Sequence, residues 1–297
     1  MTDSLDATMT PMAPLAPRYL RRLGLDDLTG PPSPESLARL HRAHVERVPY
    51  ETFHIWLRHP TTVDAVESAG RVLRGRGGYC YHLNGALALL LEALGYQVTR
   101  HMAGVQGSAD DPAGARGNHL ALTVSGLPTA ANPGGGWLVD VGLGDGPHEP
   151  VPLVEGVHRQ GGFAYGLRPS AAEPGGWRLE HDPSGSFLGM DLRPGAVPMP
   201  AFTAKHEELS TSPASSFMKA LCVQRRDAAG ADTLRGLVLT RIGSGATRMT
   251  LPTSRDYFEA LADVFGLTLE DVDPREKDAL WERLSEAHES WLAATVS

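Results

Sequence analysis

The stretch Arg76-Gly77-Gly78-Tyr79-Cys80-Tyr81-His82-Leu83-Asn84 decides how the rest of the chain is read. Two adjacent glycines mark a turn that either approaches something closely or adopts positive φ. Downstream, Leu83, Leu87, Leu90, Leu91 and Leu94 recur at helical spacing, and Gly95 suits a C-cap, so the pattern predicts a helix over 79–94. Cys80 therefore opens a helix. Helix N-termini carry partial positive charge and free N–H groups, which favour thiolate over thiol, and a thiolate is both a nucleophile and a leaving group. A lone cysteine at a helix start reads equally well as a buried structural residue.

Upstream, Ser33 and Pro34 are suited to N-cap and first helical position, and Leu37, Leu40, His44, Val45 and Val48 continue at helical spacing until Pro49. After Tyr96 the period becomes two. Strands are predicted from Tyr96 through Arg100, over 119–124 and over 137–141, with shorter ones over 163–167 and 177–180, separated by connections rich in Gly, Pro and Asp. Such a run of short strands suits a small barrel or sandwich. In the last third, 217–225 and 233–241 read as a strand pair joined by Asp227-Ala228-Ala229-Gly230, followed by helices over 255–265 and 275–292. The expected fold is α+β and multidomain: a helical part over 1–95, a β part over 96–205 and an α/β part over 206–297.

Composition narrows the function classes. With 297 residues, 41% hydrophobic and 21% charged, the chain has the profile of a soluble globular protein. A net charge of −8 without a Lys/Arg run argues against nucleic acid or an anionic membrane as the main partner. Two cysteines, Cys80 and Cys222, make no disulfide framework and fit a reducing, cytoplasmic setting. Residues 1–17, acidic and Pro/Ala-rich, read as a flexible arm rather than a signal peptide, and the longest nearly apolar run, 83–91, is too short to span a bilayer.

His119 opens one predicted strand and Asp140 lies near the end of the next. On neighbouring strands the two side chains would reach one site, where an imidazole takes the thiol proton and a carboxylate orients the imidazole. Taken singly, His119 reads as a barrel-rim histidine and Asp140 as a turn carboxylate, and eleven of the twelve histidines compete with His119 for the role.

The order of motifs adds more. Residues 76–84 resemble the active-site segment of the arylamine N-acetyltransferases, in which Arg-Gly-Gly-aromatic-Cys carries the nucleophile. Asn118-His119-Leu120 and Asp140-Val141-Gly142-Leu143-Gly144 resemble that family's histidine and aspartate segments, in the same order. Val48-Pro49-Tyr50-Glu51-Thr52-Phe53 resembles its upstream Pro-Phe-Glu-Asn-Leu segment. Ser210-Thr211-Ser212-Pro213 with Thr233-Leu234-Arg235-Gly236 resembles the start of its third domain. The resemblance implies a helical bundle, a β-barrel and an α/β lid, with a Cys80-His119-Asp140 triad between the first two. It also implies that acetyl-CoA donates acetyl to Cys80, which passes it to an aromatic amine or hydrazine. Gly142 and Gly144 would let the cofactor approach the backbone, Tyr50, Leu143 and Phe217 would line the acceptor or acyl pocket, and Glu51 would pair with Arg76 to brace the glycine turn. No metal is implied; a Cys80-His82-His119 metal site is the weaker alternative because thiol chemistry needs no fourth ligand.

The chain departs from the family where His82 replaces Glu or Gln, Leu143 replaces Phe and Thr52 replaces Asn. Loss of the Phe removes a flat surface for stacking an aryl group. The runner-up activity is an amide- or ester-forming synthase that takes its acyl group from CoA or an acyl carrier protein and delivers it to an amine or hydroxyl acceptor. Thioesterase or peptidase chemistry and a catalytically silent binding domain stand further back. Cys222, alternating with apolar neighbours, reads as core.

Overall fold

The computed structural model describes residues 14–296. Most of the arm expected over 1–17 lies outside the described residues, and its last part begins α1 (Ala16–Arg22). The helical part continues with α2 (Pro34–Arg47), the two-residue strand β1 (Tyr50–Glu51), the single turn α3 (Phe53–Trp56), α4 (Ala65–Leu73) and α5 (Cys80–Ala93). Ser33 caps α2 by accepting from the Ser36 N–H, while the Ser36 hydroxyl accepts from the Ser33 N–H. Helix α5 is buried along Cys80 to Ala88 and at Leu90 and Leu91, on all faces rather than on a leucine stripe alone. It runs through the interior and carries Cys80 with it. Gly95, at φ +87°, follows the helix in the left-handed conformation expected of its end.

The β part comprises β2 (Gln97–Gln106), β3 (His119–Ser125), β4 (Trp137–Val139), β5 (Val151–Pro152), β6 (Gly156–Gln160), β7 (Phe163–Pro169), β8 (Trp177–Glu180) and β9 (Gly189–Ala196). They form one antiparallel sheet in the order β5-β4-β3-β2-β9-β8-β7-β6. Its two edge strands, β5 and β6, are consecutive in sequence and only three residues apart. A link that short cannot span a flat eight-stranded sheet, so the sheet curls until its edges nearly meet. The barrel core is a separate cluster that includes Leu138, Leu143, Val151, Phe163, Tyr165 and Met190.

A 3₁₀ turn (Met199–Phe202) leads into α6 (Thr203–Thr211) and α7 (Ser216–Lys219), then β10 (Cys222–Arg226), β11 (Gly230–Arg235), β12 (Val238–Gly243), β13 (Thr247–Thr250), α8 (Ser254–Phe265) and α9 (Pro274–Val296). Two expectations change here. Phe217 lies in α7 rather than in a strand, because the Ser215 hydroxyl caps a helical turn by accepting from its N–H. The stretch 233–241 is not one strand. It crosses from β11 to β12 through Gly236, whose φ of +56° makes the turn. The expected boundary between 205 and 206 falls inside α6. The second sheet has the order β1-β10-β11-β12-β13, so β1 leaves the helical part to pair with β10. No helix among the described residues is long and apolar enough to cross a membrane.

Candidate active site

The site starts with the turn that aims α5. Glu51 N–H donates to the Gly78 carbonyl at 2.9 Å, and on its other side β1 pairs with β10, placing Tyr50 opposite Gln224 and Glu51 opposite Val223. The turn is packed so closely that a Cβ on Gly77 would lie 1.8 Å from the Pro49 carbonyl oxygen. One on Gly78 would lie 2.6 Å from the His82 Cβ. The two glycines are there for close approach, not for positive φ.

Cys80 is the first residue of α5 and is 4% exposed. Its Sγ lies 3.8 Å from the carbonyl oxygen of Asn118, the residue before His119. His119 and Asp140 are likewise buried, and His119 Nε2 is 2.7 Å from Asp140 Oδ2. The other carboxylate oxygen, Oδ1, accepts from Asn84 Nδ2 at 2.8 Å and from the Gly142 N–H at 2.9 Å. Asp140 is thereby fixed with Oδ2 turned to the imidazole. With Nε2 held by Asp140, Nδ1 is the ring nitrogen left to face the thiol. Burial pushes the His119 pKa down, but the Asp140 carboxylate and the neighbouring Cys80 sulfur outweigh it and raise it to about 10. An imidazolium at neutral pH beside a thiol is the setting in which a cysteine acts as a nucleophile.

Asn84 lies within residues 76–84, where the sequence alone assigns it no role. It sits one turn after Cys80 on the same face of α5, the signal that could have identified it. Besides Asp140, its Nδ2 donates to the Leu120 carbonyl at 2.6 Å, and its Oδ1 accepts from the Val141 N–H at 3.0 Å. His41 on α2 also reaches this region. Its Nε2 is 3.2 Å from the Asp140 carbonyl and its Nδ1 3.0 Å from that of His148.

Glu51 and Arg76 are both buried, yet their pairing differs from the bidentate contact the sequence suggested. Arg76 Nε stands 3.7 Å from Glu51 Oε1, too far for a hydrogen bond. Arg71 on α4 is the residue that bonds Glu51, through Nη2 at 3.0 Å, and its Nε donates to the Gly77 carbonyl at 3.2 Å. Arg76 instead sends Nη1 to Asp271, at 3.0 Å from Oδ2. Arg71 lies nearer because α4 packs along α5, whereas the Arg76 side chain leaves the turn towards the link between α8 and α9. Glu51 Oε2 accepts from the Phe53 N–H at 2.6 Å.

The other expected site residues separate into two groups. Tyr50 and Phe217 meet edge to face at 6.5 Å between ring centroids, and Phe217 also contacts the Tyr79 ring at 5.2 Å; both pack against the cluster that holds Cys80. Leu143 does not join them in that cluster. It is 6% exposed and belongs to the barrel core, so in this chain the side chain at that position fills the barrel. Gly142 and Gly144 are filled against by protein. A Cβ on Gly142 would lie 2.6 Å from Cys80 Cα, and one on Gly144 2.1 Å from Gln224 Oε1. His82 accepts from the Tyr79 N–H at 3.3 Å and so caps its own helix. Cys222 is buried in β10, where burial pushes its thiol up to about 12 and makes it unreactive. Among the described residues no group of three or more His, Cys, Asp or Glu side chains could hold a metal ion.

A family model described as N-acetyltransferase matches residues 34–273. A curated arylamine N-acetyltransferase of Mycolicibacterium smegmatis is 32% identical over 280 residues, which cover 88% of this chain and 94% of the relative. The chain belongs to the arylamine N-acetyltransferase family. Among solved structures, the arylamine N-acetyltransferase from Mycobacterium abscessus superposes with a TM-score of 0.80 at 26% identity, covering 95% of this chain and 99% of that one. The enzyme of Mycobacterium marinum in complex with CoA gives a TM-score of 0.78 at 25% identity, over 91% of this chain and 98% of its own. This family member therefore shares the fold over nearly its whole length, including the helical part, the barrel and the second sheet.

Proposed function

We propose that this family member is an acetyltransferase in which Cys80 takes acetyl from acetyl-CoA and passes it to a small-molecule amine. The reading is carried by one observation: a buried imidazole, charged at neutral pH and clamped by Asp140, beside a thiol at a helix start. In the first half-reaction the Cys80 sulfur attacks the thioester carbonyl, the bond to CoA sulfur breaks, and the His119 proton goes to the departing thiolate. In the second, His119 takes the proton of the incoming amine as its nitrogen attacks the acyl-enzyme, and the Cys80 thiolate leaves. The half-buried rings of Tyr50 and Phe217, backed by Tyr79, offer an apolar face for the acceptor. Similarity to a relative solved with CoA supports CoA as the donor's carrier.

The test is intact-protein and peptide mass spectrometry after mixing with acetyl-CoA. Acetyl on the Cys80 peptide and none in Cys80→Ala is the expected outcome, with release of CoA in a burst before any acceptor is added. Label on another residue, or transfer retained in Cys80→Ala, rejects the reading.

We assign the donor's phosphates to a groove of about 380 Å³. Lys219, Arg235 and Arg248 line it together with Trp56 and Asp145, and Asp145 follows the loop that packs on Cys80. Its own carboxylate is occupied by the Ser186 N–H and hydroxyl at 2.7 and 2.9 Å, which leaves the three cations to face an incoming anion. Removing a cation that touches phosphate weakens binding without touching the chemistry. Arg235→Gln combined with Arg248→Gln should raise KM for acetyl-CoA by about tenfold or more, with little change in kcat. The rate with acetyl-pantetheine, which lacks the nucleotide, should be unchanged. Equal losses with both donors would place the phosphates elsewhere.

A further inference from the structure

Beside Cys80 lies a group of imidazoles that the reaction scheme does not use. Tyr79, the residue before Cys80, is held twice. Its backbone N–H donates to His82 Nδ1 at 3.3 Å, and its hydroxyl meets His206 Nδ1 at 2.5 Å. The far nitrogens of both rings end on one residue: His82 Nε2 lies 3.1 Å from Thr61 Oγ1 and His206 Nε2 2.7 Å from the Thr61 carbonyl. These contacts assign the protons. A backbone amide only donates, so His82 Nδ1 accepts and its Nε2 carries the hydrogen. A carbonyl only accepts, so His206 Nε2 carries a hydrogen, while the hydrogen between its Nδ1 and the Tyr79 hydroxyl can come from either side.

We infer that His82 and His206 are positioning residues for Cys80: anchored together on Thr61, they hold the Tyr79 amide and hydroxyl and so fix the peptide from which Cys80 starts α5. The Tyr79 carbonyl completes the clamp by accepting from the His82 and Leu83 N–H groups at 2.9 and 3.0 Å. Tyr79 therefore has both its N–H and its C=O committed one residue before the sulfur. Of the two imidazoles His82 is the stricter, because a hydroxyl can turn round to accept and an amide cannot.

The groups packed around His82 keep it in the accepting form. His54 of α3 stands edge-on to it at 5.1 Å and stacks on Tyr79 at 5.5 Å; Arg71 of α4 and His206 of α6 face it as well. Burial, then His54, Arg71 and His206, all oppose a charge on the ring, and only Glu51 of β1 favours one, so its pKa falls well below the ordinary value. A ring that stays neutral keeps its lone pair on Nδ1 for Tyr79. Glutamine at position 82 would offer the same acceptor through its amide oxygen, which is the chemistry of a reciprocal helix cap.

The inference rests on Cys80 being the reactive thiol, and the experiment separates the two. Alkylation of Cys80 by iodoacetamide is timed in wild type, His82→Ala, His82→Gln and Tyr79→Phe, beside acetyl transfer from acetyl-CoA. His82→Ala should slow alkylation about tenfold, the scale of one lost hydrogen bond expressed as a rate, while His82→Gln should restore most of it. Tyr79→Phe, which removes only the hydroxyl arm, should fall between. Nitrogen NMR of the wild-type protein should show His82 with the hydrogen on Nε2 at neutral pH, a readout that needs no variant to fold. Alkylation unchanged in His82→Ala, a glutamine variant as slow as the alanine one, or an Nδ1–H tautomer would each overturn the inference. If alkylation follows the expected order but no acetyl is transferred, the positioning role stands and the acetyl-CoA reading falls.

Discussion

Replacing Asp140 with Asn should cost the enzyme about 10³ to 10⁴-fold in kcat, the scale seen when a buried carboxylate no longer fixes its imidazole. The geometry says why so small a change matters. Asn84 Nδ2 and the Gly142 N–H both donate to Oδ1, so an Asn at 140 would keep its carbonyl oxygen there and turn its NH₂ to His119. Nε2 would then have to accept, and the ring hydrogen would move to Nδ1, where it points at the thiol and cannot receive the thiol's proton. The imidazole would also lose its counter-charge. NMR titration should show the wild-type ring losing its proton near pH 10 and the variant near the ordinary histidine range. Since the folded pKa of His119 is raised, its contribution to stability is complete below pH 6.5 and is lost as pH climbs towards 10. A variant with wild-type turnover would mean that Asp140 does not set the tautomer.

The second large effect is on stability. Glu51 is fully buried, and burial alone would push its pKa up; Arg76 and Arg71 overcome that and hold it below the usual carboxylate range. Its stabilising charge is thus present at neutral pH and lost as pH falls into the acid range. Glu51→Gln leaves two guanidiniums without their shared carboxylate, and breaking a buried pair costs about 3–5 kcal/mol. A chain of this size should lose on the order of 10 °C in Tm. In double-mutant cycles Glu51 should couple both to Arg71, which bonds it, and to Arg76, whose buried charge at 3.7 Å also holds the carboxylate ionised. Fully additive losses with both arginines would mean that neither shares its charge with Glu51.

Much of the site could be read from the sequence because its chemistry is local. A glycine turn, a cysteine and a leucine repeat lie within twenty residues, and short-range rules cover them. His119 and Asp140 were legible only through the order of the motifs, since nothing in either residue alone says that β3 and β4 are neighbours. Arg71 was missed for a different reason. It sits on the inner face of α4 beside Val72 and Ala69, and a charge there reads as an interruption until Glu51 is brought to it from another element. The C-terminal strands were misjudged where one glycine, Gly236, converts a single apparent strand into two. Leu143 shows the limit of carrying a position over: its place in the motif is kept, but its side chain packs into the barrel.

The pairing of β1 with β10 has a consequence for how the protein comes into being. Tyr50 and Glu51 are braced on one side by the glycine turn and on the other by Gln224 and Val223, more than 170 positions later in the chain. Contacts so distant in sequence form late, after the entropy of closing the intervening loop has been met. A nascent chain emerges from its N-terminus, so the segment with Cys80 is exposed well before β10 has been synthesised. Until then the turn that aims the cysteine has only half its support. The setting of Cys80 is in this way tied to completion of the chain: an unfinished or truncated polypeptide carries the cysteine but not the strand that braces its turn.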